Sequence, residues 1–158
     1  MKVTQIQDNC GEILCCIDNL KDKVKLSRKG MLRPFRGPPF YSHRNGYKMC
    51  LGFSAIGVGH SARFSIHLHI MRGEFDNILQ WPFRHMITLD LMNEETGLPY
   101  LSGFVNALQY PKNAAWRKPI NDQNDGITLL FIWLSDIFLI PCLRKDNQIW
   151  IKVTPKML

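Results

Sequence analysis

At 158 residues the chain is long enough for one domain and short for two. A composition of 46% hydrophobic and 21% charged residues is that of an ordinary globule and excludes a disordered or low-complexity chain. The formal net charge of +7 directs attention to anionic partners: an acidic peptide, a phospholipid head group or nucleic acid.

Residues 1–9 read as a lead-in and residues 10–155 as the domain. Ile13, Cys15 and Ile17 alternate with Leu14 and Cys16, the period of a strand with one buried face. The stretch Asp18 to Lys25 predicts a short helix capped by Asp18 or Asn19. Much of the charge follows as a basic patch of Lys21, Lys23, Lys25, Arg28, Lys29, Arg33 and Arg36, opposed within it by Asp22 alone. That patch is either a solvated surface or a seat for an anionic partner. Phe35 is its lone aromatic, which disfavours stacking on single-stranded nucleic acid; the alternative function is binding of anionic membrane lipids or nucleic acid through residues 21–36. Pro34, Pro38 and Pro39 mark an extended or edge segment.

From Tyr47 the apolar residues Tyr47, Met49, Leu51 and Phe53 fall on every second position. Gly57-Val58-Gly59 reads as a hairpin turn, since no phosphate-binding glycine motif follows it. Phe64, Ile66, Leu68 and Ile70 alternate with Ser65, His67 and His69, and Ile87, Leu89 and Leu91 with Thr88 and Asp90. The apolar run Ile127 to Leu143 is short for a membrane span and is broken by Ser135, Asp136 and Pro141. It reads as two buried elements, the second a helix starting at Ser135-Asp136. Ile149, Ile151 and Val153 alternate with Gln148, Trp150 and Lys152. Many short strands separated by turn-rich segments predict an all-β antiparallel sandwich or barrel.

The five cysteines, Cys10, Cys15, Cys16, Cys50 and Cys142, are odd in number and contain no Cys-x-x-Cys pair, so free thiols in a reducing cytosol are expected. Asp8, Glu12 and Asp18 interrupt the first twenty residues, which argues against a signal peptide and for a cytoplasmic location. His67 and His69 share one face of a strand, a spacing able to hold a metal, but no third convergent ligand is visible. They read as surface imidazoles, and no metal or cofactor is expected. Serine, histidine and aspartate are all present without a Gly-x-Ser-x-Gly elbow, so no enzyme is expected either.

Beyond these patterns, Phe40-Tyr41-Ser42 followed by Gly46-Tyr47-Lys48-Met49-Cys50-Leu51 resembles the third strand of the TRAF-C domain, a member of the meprin-and-TRAF-homology (MATH) fold. Further matches follow in the same order. Gly11 to Ile17 resembles the family's first strand, with Cys15 in place of its usual Trp. Gly73 to Phe83 is similar to the loop that ends in Trp-Pro-Phe, the most specific match. Trp116 to Asp122 resembles Phe-Gln-(Arg/Lys)-Pro-Val-Asn-Asp, Phe131 to Ser135 the seventh strand and its exit, and Leu143 to Lys152 the last strand. The resemblance implies an eight-stranded antiparallel β-sandwich with one or two short helices. It also implies an adaptor, without an active site, that binds cytoplasmic tails of receptors or adaptor proteins and works as a homotrimer. A coiled coil that would strengthen the trimer is not found ahead of the first strand, so a weak trimer is expected.

In that family a peptide lies across one sheet and adds to the edge of the seventh strand, which places its main-chain partners at Gly126, Ile127, Thr128 and Leu129. The positions that match the family's contact residues are altered here. Gly52 and Ser54 stand where many members carry an Arg and an aromatic, Val58 where some carry an Asp, and His67 where a pocket Phe is found. Leu108 falls in a shortened loop, and Ala114 and Ala115 replace a serine run that holds a peptide Gln. Strand alternation agrees on direction: with Leu51, Phe53, Ile66 and Leu68 facing the core, Gly52, Ser54, His67 and His69 face outward.

Overall fold

The computed structural model describes residues 2–4, 11–139 and 145–158. Cys10, Cys142 and the break at Pro141 lie outside the described residues. The predicted alternation becomes two antiparallel sheets. Strands β1 (Lys2–Thr4), β2 (Ile13–Ile17), β7 (Met86–Met92), β8 (Pro99–Asn106) and β10 (Ile149–Lys156) form one sheet in the order β1-β2-β10-β7-β8. Strands β3 (Phe35–Arg36), β4 (Phe40–Tyr41), β5 (Lys48–Ile56), β6 (Arg63–Met71) and β9 (Ile127–Trp133) form the other, with β3 and β4 both pairing with β5 and the path running β5-β6-β9. Counting the broken β3–β4 as one strand and setting aside the short β1 gives the eight-stranded sandwich. Residues 2–4, expected as lead-in, pair antiparallel with β2.

The inner faces are the predicted ones. Met49, Leu51 and Phe53 on β5 and Phe64, Ile66, Leu68 and Ile70 on β6 meet Ile87, Leu89, Leu91, Ile151 and Val153 of the facing sheet, all buried. Cys15 and Cys16 are buried in β2, and burial pushes the Cys15 thiol up to about 12, which makes it a packing residue rather than a nucleophile. Under the Trp81-Pro82-Phe83 loop, Phe83 stacks on Trp116 and meets the Tyr47 ring edge-on at 4.9 Å between centroids. Of the other tryptophans, Trp81 and Trp150 are half-buried and Trp133 is exposed.

The first helix, α1, spans Leu20–Arg28 and buries Leu20, Val24 and Ser27 at helical spacing. Its cap is one of the two residues expected, without a side-chain hydrogen bond. Asn19 occupies the cap position in a left-handed conformation (φ 49°), and its side chain caps nothing. Instead the Lys21 N–H donates to Asn147 Oδ1 at 2.7 Å, from the turn that leads into β10. The second helix, α2 (Leu134–Leu139), begins directly after β9, one residue before the predicted Ser135-Asp136 start.

Strand β8 gave no alternation signal. It is the sheet edge, it is exposed from Pro99 to Ser102 and only partly buried at Gly103 and Val105, and its register with β7 shifts near Tyr100, where Leu91 pairs with Leu101 and Met92 with Pro99. At its middle it approaches the other sheet closely. A Cβ on Gly103 would run into the Leu129 carbonyl oxygen of β9, so glycine is what lets the two edges touch there.

Candidate functional site

Among the described residues the sheet β3-β5-β6-β9 ends at β9, which has no hydrogen-bonded strand on its far side, although β8 of the other sheet touches it at Leu129. Such an edge offers unpaired main-chain N–H and C=O groups. β9 carries a bulge: Leu130 pairs with Ile66, but the next pair is Thr128 with His67, leaving Leu129 extra. This shift fixes a cross-strand row on the outer face. Arg36 on β3 pairs with Gly52 on β5, Gly52 with His67 on β6, and His67 with Thr128 on β9. A groove of about 470 Å³ opens over this row, lined among others by Phe35, Arg36, Gly52, Ser54, His67, His69 and Gln123.

The hydrogen bonds of the row are specific. His67 Nε2 lies 2.7 Å from Ser54 Oγ and its Nδ1 lies 2.9 Å from Thr128 Oγ1. Burial, then the neighbouring His69, lowers the His67 pKa below the usual imidazole value, so the ring is neutral at neutral pH. A serine beside a histidine is the beginning of a nucleophilic pair. Here, however, the third group is Thr128, which has no charge to stabilise an imidazolium. The arrangement is a hydrogen-bonded surface. His69 donates from Nδ1 to the Asn124 carbonyl at 2.9 Å, and its ring comes close to two glycines. A Cβ on Gly52 would come within 2.6 Å of His69 Nε2, and one on Gly126 within 2.7 Å of His69 Cε1. Gly52 and Gly126 are therefore seats for His69. Among the described residues no group of three His, Cys, Asp or Glu side chains converges.

The structure thus brings Gly52, Ser54, His67, Gly126 and Thr128 together, with Ile127 half-buried beside them. Leu129, as the bulged residue, lines a second cleft of about 530 Å³ on the other side of β9, with Tyr100, Leu101, Phe131, Trp133 and Asp136. Val58 sits at the tip of the β5–β6 hairpin, against Gly30 at the end of α1, rather than at the row. Ala115 is buried, so its methyl is not presented to a peptide; its carbonyl accepts from Asn124 Nδ2 at 3.0 Å. Leu108 and Ala114 are exposed, on short turns after β8 and before Trp116.

The basic patch divides. Lys21, Lys25, Arg28 and Lys29 line a shallow surface groove along α1. Lys23 turns away from them: its Nζ donates to the Asp18 carbonyl at 2.7 Å and lies 5.6 Å over the Phe35 ring. Arg33 is exposed after the helix, and Arg36 leaves the patch to bond Gln123 Oε1 in the sheet groove. Sequence reasoning missed Arg36, His69 and Gln123 as groove residues. For His69 the signal was present, since it shares a face with His67; for Arg36 and Gln123 no local pattern exists.

A model of the TRAF/meprin MATH domain family matches residues 33–152. TNF receptor-associated factor 5 from Mus musculus is 27% identical over 124 residues, covering 76% of this chain and 22% of that protein. TNF receptor-associated factor 2 from Homo sapiens is 30% identical over 145 residues, covering 90% of this chain and 28% of that protein. The chain therefore spans about a quarter of the length of these relatives. Among solved structures, Notothenia coriiceps TRAF5 superposes with a TM-score of 0.79 at 23% identity, over 95% of this chain and 75% of that one, which establishes the shared fold.

Proposed function

The chain belongs to the TRAF/meprin MATH-domain family, and from that premise we infer that it serves as a non-catalytic signalling adaptor domain that captures extended tail peptides of receptors or adaptor proteins. The observation that carries this reading is the open edge of β9 beside the row Arg36, Gly52, His67 and Thr128. A peptide strand that adds to that edge gains main-chain hydrogen bonds whatever its sequence, and side chains over the groove select it. A reducing cytoplasm suits the buried thiols of Cys15, Cys16 and Cys50. No helix among the described residues is long and apolar enough to cross a membrane.

Selectivity departs from the pattern in which serines hold a peptide Gln. Ala115 is buried and Ala114 carries no hydroxyl, so a Gln side chain buried there would lack a partner, at about 1–3 kcal/mol. Peptides of the Pro-x-Gln-x-Thr/Ser type bind poorly, and shorter, more apolar side chains over Gly52 and Ser54 are preferred. Binding to one groove lies between ~1 µM and ~1 mM, about 4–8 kcal/mol. Assembly as a weak homotrimer makes up for this, because clustered tails raise avidity roughly 10²–10⁴-fold. Calorimetric titration with both peptide classes tests the reading. Apolar extended peptides should bind in the stated range. Tight binding of the Gln-containing class would overturn the selectivity, and no binding of either class would overturn the function.

A further inference from the structure

We propose that the outer face of α1 and the tip of the β5–β6 hairpin together form a docking surface for an anionic membrane. Lys21, Lys25, Arg28 and Lys29 are spaced so that they share one side of α1, and all four are exposed. Asp22 is the one carboxylate on the helix. Large aliphatic side chains protrude at the same end: Met31 is 64% exposed and Val58 63%, with Leu26 and Ile56 also exposed. The two elements adjoin, since a Cβ on Gly30 would lie 3.4 Å from Val58 Cγ2. Gly57 and Gly59 take positive φ on either side of Val58 (86° and 66°), which holds that side chain out on a tight tip.

Cations beside protruding aliphatics match a lipid surface, where head-group phosphates meet the charges and the acyl boundary takes the apolar tips. Single-stranded nucleic acid also offers phosphates, but it rewards flat rings, and a duplex offers phosphates without an acyl boundary to take the protruding aliphatics. The exposed aromatics Tyr100, Phe104, Tyr110, Phe131 and Trp133 lie instead along β8, just after it, and on β9. The α1 surface is separate from the peptide row, so it holds or fails independently of the peptide reading.

Sedimentation with phosphatidylcholine vesicles, with and without phosphatidylserine, tests the proposal. The chain should co-sediment with the anionic vesicles and be released as salt rises. K25Q/K29Q should weaken partition roughly thirty-fold, at ~1 kcal/mol for each cation removed near the surface. V58S should weaken it without changing the salt dependence. All three positions are exposed, so unchanged melting of the variants is the control. Equal partition onto both vesicle types, or K25Q/K29Q binding like the parent, would overturn the proposal. So would binding to a DNA duplex that K25Q/K29Q abolishes while V58S and anionic vesicles have no effect; that result would assign the surface to nucleic acid.

Discussion

His85 should make the fold sensitive to mild acid. It is 7% exposed, stacks on Phe83 at 5.0 Å and on His43 at 5.8 Å, and meets Tyr47 edge-on. Neither of its ring nitrogens has a hydrogen-bond partner among the described residues. Burial first, and the facing His43 second, lower its pKa from the ordinary 6.5 to about 4. The folded state therefore holds His85 neutral at pH values where the unfolded chain already binds a proton. The unfolded state gains protons between pH ~6.5 and pH ~4, so stability is full above the upper value and is lost as pH falls toward the lower one. The difference corresponds to roughly 3 kcal/mol. With a urea slope of ~2 kcal/mol/M, the midpoint at pH 4 should lie about 1.5 M below that at pH 7 from this group alone. Carboxylates titrate in the same range, so the comparison is with His85→Phe, which keeps a ring against Phe83 and removes the titration. The variant should lose less stability than the parent over this interval, by that amount. Parallel curves for the two proteins, or an NMR titration of His85 near 6.5, would refute the argument.

Other perturbations follow from close contacts. Gly126→Ala places a methyl within 2.7 Å of the His69 ring, so it should displace His69, costing ~1–3 kcal/mol on melting and moving the His69 ring signals most. Gly103→Ala drives a methyl into the Leu129 carbonyl and should cost at least as much, with the largest amide shifts on β8 and β9; an unchanged melting temperature would remove the close approach from the account. In sedimentation, the chain should be monomeric at micromolar concentration, with trimer appearing as concentration rises; a tight dimer would contradict the assembly proposed above.

Alternation along one strand reports which side chains face the core, and it did so for β5, β6, β7 and β10. The outward placement of Gly52, Ser54 and His67 was legible for the same reason. What alternation does not carry is register between distant strands. The Leu129 bulge, which brings Thr128 opposite His67, is set by how β9 lies against β6, and its carbonyl lies close to Gly103 of the other sheet. Arg36 enters the groove through the β3–β5 pairing, and the only sequence trace of it was a run of positive charge. The start of α1 is similar: Asn19 is the cap residue, but the partner of the Lys21 N–H, Asn147, is far along the chain and left no local signal. β8 stayed invisible because an edge strand with no fully buried residue has no buried face to impose a period.

On the proposed function, β9 accepts a peptide strand. Amide hydrogen exchange with chemical-shift mapping, recorded on the chain with and without a saturating apolar tail peptide, tests it most directly. New protection should appear at amides within Ile127–Trp133, with shifts at Gly52, Ser54, His67 and Thr128. Protection and shifts confined to β2, β10 and β7 of the opposite sheet would contradict the account.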